Sequence, residues 1–385
     1  MEQGDLSGSC VFHHPYPVAP GGDSGSRVRP YEMLAAFRSL GYEVFEVTGT
    51  AAQRRARLEA LRRELAHGRS FDFAYSESHT LPPALTEPHH LPTAPFLDAR
   101  VLRLAHASGI PVGVFYRDVH WRFPHFREHY SLAKRLASLV FYRLEWRTYL
   151  SAADHLFLPS LGMRDALPSP AFEGGMSALP PGIDAVPEAP RRARPGLAEL
   201  RLLYVGGVAP PVYDLGPLLE AARLTQSASV TVCCREAEWR AVRHRYSLPG
   251  NVRVVHASGP ELASHYAEAD ATLLFLASDP YLGFAMPVKL FETIQHGLPM
   301  IVSGSPEAAR FVRAEHTGWA VDSPAEFRAL VDGLIADPAR LDEAYRQVHA
   351  AAPRHTWRVR AAEVAATLTE VRARRGPRSL EGRTG

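Results

Sequence analysis

The chain has 385 residues, of which 46% are hydrophobic, 22% charged and 9% aromatic, with a net charge of +2. This composition excludes a disordered or collagen-like chain, and the length fits about two domains of roughly 150–200 residues. No apolar run approaches the roughly 20 residues of a membrane-spanning helix. Three cysteines, Cys10, Cys233 and Cys234, exclude a disulfide framework and a cysteine-based zinc site and fit the cytoplasm. Residues 1–9 are polar and acidic, so they do not read as a secretory signal.

In chain order, apolar runs predict strands at 10–14, 42–48, 71–75, 110–116 and 154–158, with helices near 27–40, 51–67, 96–108 and 125–150. A second series of strands follows at 201–205, 229–233, 252–255, 271–276 and 299–302, again with helices between them. Short, nearly continuous apolar strands separated by helices predict a parallel sheet covered on both faces. The stretch 182–198, with three prolines and a basic cluster, reads as a linker. The expected organisation is an N-terminal domain over 1–182, a linker over 183–198 and a second domain over 199–352. A helix over 353–375, packing back on the first domain, and a basic tail over 376–385 complete it. The fold class is α/β, with two Rossmann-like domains facing a cleft, and ligands are expected at the carboxyl ends of the strands.

Candidate residues lie at those ends. The first loop, PYPVAPGGDSGSRVRP, places Gly21 and Gly22 where backbone amides can face a ligand. No G-x-G-x-x-G fingerprint follows any strand, which argues against a nicotinamide dehydrogenase. The segment 76–95 carries five prolines and reads either as an acceptor-side loop or as a surface excursion. Strand 110–116 runs into Arg117, Asp118 and His120. Asp118 is a candidate general base toward a sugar hydroxyl, or else the cap of the following turn.

In the second half, LLYVGG sets Gly206 and Gly207 where a phosphate could approach the backbone, although the pair is also a common turn. Arg235, just beyond strand 229–233, joins them on the donor side. The segment 279–304 predicts a short helix opened by Pro287 and closed by Gly297. Lys289 lies in its first turn, where a cation opposes the helix dipole, and that mismatch points to an anionic ligand such as a diphosphate. It is one of only two lysines, with Lys134, in an arginine-rich chain. Glu292 could accept sugar hydroxyls, or pair with Lys289 at i,i+3. His125 and His129 read as an ordinary helix face, and no metal site is expected. The segment 126–150 mixes Phe126, Tyr130, Phe141, Tyr142, Trp146 and Tyr149 with basic residues. Either its aromatics form core or the helix lies on an anionic bilayer.

On these motifs the chain resembles a known family. LLYVGG, HYAEADATLLFL, PVKLFETIQHGLPMIVSG and HTGWAV are similar to the nucleotide-binding half of GT-B glycosyltransferases of the broad family 4 type. GYEV, GIPVGVFYRD and LPPGID extend the resemblance into the first half, over about residues 10–360. Phe284 stands where many members carry the first of two glutamates, and Pro211, Tyr213 and Asp214 replace the usual basic pair. A lysine three residues before the glutamate is similar to the xanthan glucuronosyltransferase group. The resemblance implies a metal-independent transferase that uses a nucleoside-diphosphate sugar, with no cofactor, on a hydroxyl of a glycan, lipid-linked or small-molecule acceptor. Lys289 then takes the diphosphate, Glu292 the ribose side and Asp118 the base role; Gly21, Gly22, Arg117 and His120 are expected on an acceptor-side or cleft loop. An anionic membrane surface is a further expected partner, and nucleic acid is not. A sugar-nucleotide epimerase and a catalytically silent donor-binding subunit are the alternatives.

Overall fold

The computed structural model describes residues 8–21, 25–124, 126, 132–210, 213–276 and 279–375. The chain divides into two units, one formed by residues up to Pro180 together with those from Trp357, the other by Pro181–Thr356.

The first unit alternates strand and helix: β1 (Gly8–His13), α1 (Gly25–Ser39), β2 (Tyr42–Val47), α2 (Ala51–Ala66), β3 (Phe73–Glu77), α3 (Leu97–Ala107), β4 (Val112–Phe115), α4 (Leu132–Ala152), β5 (His155–Leu158) and β6 (Gly175–Ala178). Among the described residues the six strands pair in parallel in the order β2-β1-β3-β4-β5-β6. The chain therefore reverses its direction of winding between β1 and β3, the place where such a sheet opens a crevice. Thr50 starts α2 with a capping box. Its hydroxyl accepts from the Gln53 N–H, and the Gln53 side chain accepts from the Thr50 N–H at 2.8 Å.

Phe12, Phe37, Phe73, Tyr75 and Phe157 interlock in edge-on and tilted pairs at centroid spacings of 5.5–6.4 Å. Each buried ring contributes about 1.5–3 kcal/mol of transfer free energy. Ala361, Val364 and Leu368 of the last helix, α12 by chain order (Trp357–Arg375), belong to this same core.

The strand predicted at 71–75 instead runs over Phe73–Glu77. Phe71 is buried against Phe45, but Asp72 turns its carboxylate to the Ser9 N–H at 2.9 Å, and pairing continues into the buried polar residues Ser76 and Glu77. The strand β6, GMSA, was not read, since an exposed edge strand of small residues has no apolar run. The segment 76–95 contains a single 3₁₀ turn, Pro83–Leu85.

Two buried polar groups on α3 and α4 shape this unit. Asp98 meets His13 Nε2 at 2.8 Å, accepts Arg54 Nη2 at 3.4 Å and lies 3.0 Å from Arg54 Nε, while Arg54 Nη1 donates to the carbonyls of Pro15 and Gly49. Burial works against the Asp98 carboxylate, but His13 and Arg54 hold its pKa below the ordinary value. Among the described residues Glu145 forms no ion pair. It takes a 2.5 Å hydrogen bond from Tyr149 and lines a cavity of about 30 Å³ with His13, Ser76 and Thr148. Burial raises its pKa to about 8, the nearby Asp98 charge adds to this, and the Tyr149 bond opposes it. The folded-state pKa lies above the unfolded one, so the protonated carboxyl favours folding below about pH 4.5 and that advantage is lost as pH rises through 8. Glu145→Gln is thus expected to raise stability by about 1–3 kcal/mol at pH 9 and little at pH 5. Melting curves at the two pH values check this, and equal shifts at both would refute it.

The second unit carries β7 (Leu200–Val205), α5 (Gly216–Leu224), β8 (Ala228–Cys233), α6 (Glu236–Val242), β9 (Val252–Val255), α7 (Gly259–Glu268), β10 (Ala271–Phe275), α8 (Val288–Gln295), β11 (Met300–Ser303), α9 (Pro306–Ala314), β12 (Gly318–Ala320), α10 (Pro324–Ala336) and α11 (Ala339–Ala351). Its described strands are parallel in the order β12-β11-β10-β7-β8-β9, with the reversal between β7 and β10. The three-residue β12 was too short to read from periodicity. Helix α8 buries Leu290, Phe291 and Ile294 and stops at Gly297, whose φ of +67° is one that glycine adopts without strain. Segment 183–198, read as a linker, lies on this unit. Arg194 grips the Asp270 carboxylate at 2.9 and 2.7 Å, Arg191 donates to the Tyr266 carbonyl, and the Ala193 N–H donates to Asp342 at 2.7 Å.

Candidate functional site

In the first unit the ends of β1, β3 and β4 bring together a buried ionic cluster. Glu77, fully buried at the end of β3, accepts Arg29 Nε at 3.0 Å and the Tyr75 hydroxyl at 2.6 Å, and lies 3.5 Å from Arg117 Nη2. The Arg29 guanidinium sits 3.5 Å over the Phe115 ring and donates to the Pro180 carbonyl. Burial alone would lower the Arg29 pKa, yet Glu77 and Tyr75 raise it above the usual value. For Arg117, burial prevails: Glu77 opposes it, Arg29 adds to it, and the pKa is lowered. The Arg117 backbone N–H donates to Ser78 Oγ at 2.9 Å, which fixes the start of the next turn.

Beside this cluster His14, Tyr16 and His79 stack loosely, with Tyr16 and His79 centroids 4.3 Å apart. Burial lowers the His14 pKa to about 3, and burial with the Arg117 charge lowers that of His79 to about 4. Both rings are neutral at physiological pH and offer hydrogen bonds without charge.

Asp118 follows directly. Its Oδ1 accepts the His120 backbone N–H at 2.8 Å, and Oδ2 lies 3.1 Å from His120 Nδ1. His120 Nε2 is 3.2 Å from the Tyr142 hydroxyl, which donates to the Thr80 carbonyl at 3.0 Å. Tyr142 is stacked on Trp121 at 5.2 Å. The carboxylate therefore caps a turn, and its second oxygen faces the His120 ring, which Tyr142 of α4 meets from the other side. Gly21 is exposed with φ +80°, while Gly22 lies outside the described residues.

In the second unit the two candidate groups flank the reversal point. At the end of β7, Gly206 donates to the Cys233 carbonyl at 3.1 Å and Tyr204 Oη donates to the Gly207 carbonyl at 2.7 Å. A side chain on Gly207 would place its Cβ 2.8 Å from the Tyr213 ring, so only glycine lets that ring close over the loop. Glu238 accepts the Val208 N–H at 3.4 Å and Arg235 Nη1 at 2.6 Å, linking the exposed Arg235 side chain to the glycine loop.

After β10, Pro287 caps α8 and Lys289 is its second residue. Lys289 Nζ donates to Glu292 Oε2 at 2.6 Å, and both side chains are about one-third exposed, at 38% and 34%. Glu292 also receives the Tyr266 hydroxyl at 3.4 Å, and the Tyr266 ring is stacked on His296 at 4.0 Å. Glu292 is thus held from two sides. Lys289 is a cation at the positive end of a helix, neutralised by a carboxylate that a stronger anion could displace. Sequence reasoning missed Arg29, Glu77, Tyr266 and His296. A strand end reading Tyr-Ser-Glu was the one available sign of Glu77, and nothing local marked the others. Among the described residues no three His, Cys, Asp or Glu side chains converge as a metal site requires.

Residues 216–366 match the family model described as glycosyl transferase-like. No curated protein matches the chain by sequence. Solved structures are similar over nearly the whole length. Sucrose-phosphate synthase from Thermosynechococcus elongatus has a TM-score of 0.60 at 14% identity, covering 95% of this chain and 100% of that one. HepE from Anabaena, in complex with UDP and glucose, has 0.53 at 13% identity, covering 94% and 100%. The lipopolysaccharide outer core galactosyltransferase WaaB has 0.53 at 12% identity, covering 93% and 99%. With its two parallel Rossmann-like sheets, the chain has the GT-B fold.

Proposed function

We propose that this chain is a glycosyltransferase that moves a sugar from a nucleoside-diphosphate sugar to an acceptor hydroxyl. The carrying observation is Lys289 at the N-terminus of α8, inside the segment that matches the glycosyl transferase-like family. Structural relatives holding UDP and glucose make a uridine nucleotide the first donor to try. In this reading the leaving diphosphate displaces Glu292 from Lys289. The ammonium and the free N–H groups of α8 then stabilise the negative charge that grows as the glycosidic bond breaks. The released Glu292, still held by Tyr266, is free to accept ribose hydroxyls. By the family resemblance Asp118 takes the proton of the attacking hydroxyl, which implies inversion at the anomeric carbon. The Lys289–Glu292 spacing, similar to that of the xanthan glucuronosyltransferase group, favours this assignment. No cofactor is needed, because the donor carries its own leaving group. The acceptor class is a glycan, a lipid-linked glycan or a small molecule.

Lys289→Ala is expected to weaken nucleoside-diphosphate binding by roughly 1.5–3 kcal/mol while leaving the free nucleoside nearly unaffected. Lys289→Arg should rescue only in part, because the guanidinium is larger and planar. Calorimetric titration of UDP and uridine into each variant checks this. Equal losses for both ligands, or no loss for UDP, would refute the diphosphate assignment. A screen of nucleotide sugars for acceptor-dependent release of nucleoside diphosphate tests the activity itself.

A further inference from the structure

The sheet of the second unit ends on one side at β12, and that edge is open. Pairing with β11 uses alternate residues: the Met300 N–H donates to the Thr317 carbonyl, and the Val321 N–H to the Val302 carbonyl. In a parallel ladder the intervening residues, Gly318 and Ala320, then turn their N–H and C=O groups away from β11. Both are small and half-buried. Two adjoining grooves of about 420 and 450 Å³ follow this edge and share Arg313, Gly318, Trp319 and Arg340. The backbone groups that would extend the sheet therefore open onto a groove. Arg313, in the last turn of α9, and Arg340, in the first turn of α11, are exposed, as is His316 between α9 and β12. Of the two acids that line the grooves, Glu343 accepts Arg346 Nε at 3.0 Å and Gln347 Nε2 at 2.6 Å, and Glu326 accepts the Asp322 N–H at 2.9 Å. Among the described residues neither Arg313 nor Arg340 forms an ion pair, so the edge carries two guanidinium charges without a carboxylate.

We propose that the β12 edge docks an extended acidic segment of a partner protein, which adds to the sheet as a further strand and sets its carboxylates on Arg313 and Arg340. Two features select this occupant. Backbone N–H and C=O groups repeating along a strand edge are matched by another polypeptide backbone, not by a compact anion. The two guanidinium groups beside them call for carboxylates, which they hold by charge-assisted hydrogen bonds. A second copy pairing edge to edge would set Arg313 and Arg340 against their own counterparts, and like charges disfavour that arrangement. The short strand and its flanking cations thus discourage self-pairing and leave the edge to a partner of opposite charge. The proposal stands apart from the transferase reading, since it requires no donor or turnover.

The test uses the full chain and a fluorescent synthetic peptide alternating glutamate and threonine, read by polarisation at low and high salt. Binding is expected at low salt and should weaken by roughly threefold or more at high salt. The same peptide with lysine in place of glutamate should not bind. The glutamate peptide N-methylated along its centre keeps its charge but loses its backbone donors, and should bind roughly tenfold more weakly or worse. Arg313→Gln with Arg340→Gln should lower affinity by roughly three- to thirtyfold. Both side chains are exposed, so this variant should melt as wild type. Amide hydrogen exchange over residues 318–320 should slow when the glutamate peptide is bound. No binding of the glutamate peptide at low salt would overturn the proposal, as would unchanged binding after N-methylation or in the double arginine variant. A dimer of the chain in sedimentation velocity that excludes the peptide would assign the edge to a second copy and overturn it too.

Discussion

Asp118→Asn is expected to lower turnover by roughly 10²–10⁴-fold while the protein melts normally and binds nucleoside diphosphate as before. The geometry makes the substitution selective. Asn keeps an oxygen to accept the His120 N–H, now 2.8 Å from Oδ1, so the turn persists. Its amide nitrogen takes the place of Oδ2, which lies 3.1 Å from His120 Nδ1, and the ring can meet it as an acceptor. What disappears is the negative charge and the basicity that a sugar hydroxyl requires late in its attack. Donor affinity is unaffected, because Lys289 and Glu292 belong to the other unit. If Asp118 served only the turn, Asn would preserve both rate and melting temperature. Steady-state kinetics of nucleoside-diphosphate release, run beside a melting curve, separates the two. Near-wild-type turnover would make Asp118 a turn residue and would favour a retaining reaction in which the donor phosphate takes the proton.

Glu77→Ala should cost the first unit about 3–5 kcal/mol, the usual penalty for leaving a buried charge without its partner. Glu77 is the acceptor for Arg29 and for the Tyr75 hydroxyl and faces Arg117, and removing it takes a buried carboxylate away from the Arg29 guanidinium packed over Phe115. Glu77→Gln should cost less, since it still accepts from Tyr75. Combining Glu77→Met with Arg29→Met should recover part of the loss, because a well-packed apolar pair replaces a desolvated ionic one. Denaturant midpoints across the series check this. A loss below about 1 kcal/mol in Glu77→Ala would show that the cluster is hydrated and weak. Arg117 immediately precedes Asp118, so the same variants should also loosen the turn that presents the carboxylate.

Most of the architecture was legible because it is written in local pattern. Apolar runs with helices between them marked ten of the strands, and Pro287 with Gly297 marked the ends of α8. The elements that escaped, β6 and β12, are only four and three residues long, and they are strands because a neighbour pairs with them. The candidate site was legible to the extent that its partners are close in sequence. Lys289 and Glu292 are one helical turn apart, and Asp118 and His120 share a turn. Arg29 and Glu77 are 48 residues apart, and Tyr266 reaches Glu292 from a different helix, so only folding reveals those contacts. The aromatics of α4 show the limit of composition. The segment carries apolar residues on both its buried and its exposed sides, Leu132, Leu136 and Val140 among the latter, so counting residues could not tell which row would be core.

A crystal structure of the protein with UDP tests the central claim most directly. The account predicts the diphosphate at the N-terminus of α8, within hydrogen-bonding distance of Lys289 Nζ, with the 2.6 Å bond from Lys289 to Glu292 broken. A diphosphate bound elsewhere, or an intact Lys289–Glu292 pair beside a fully occupied nucleotide, would contradict it.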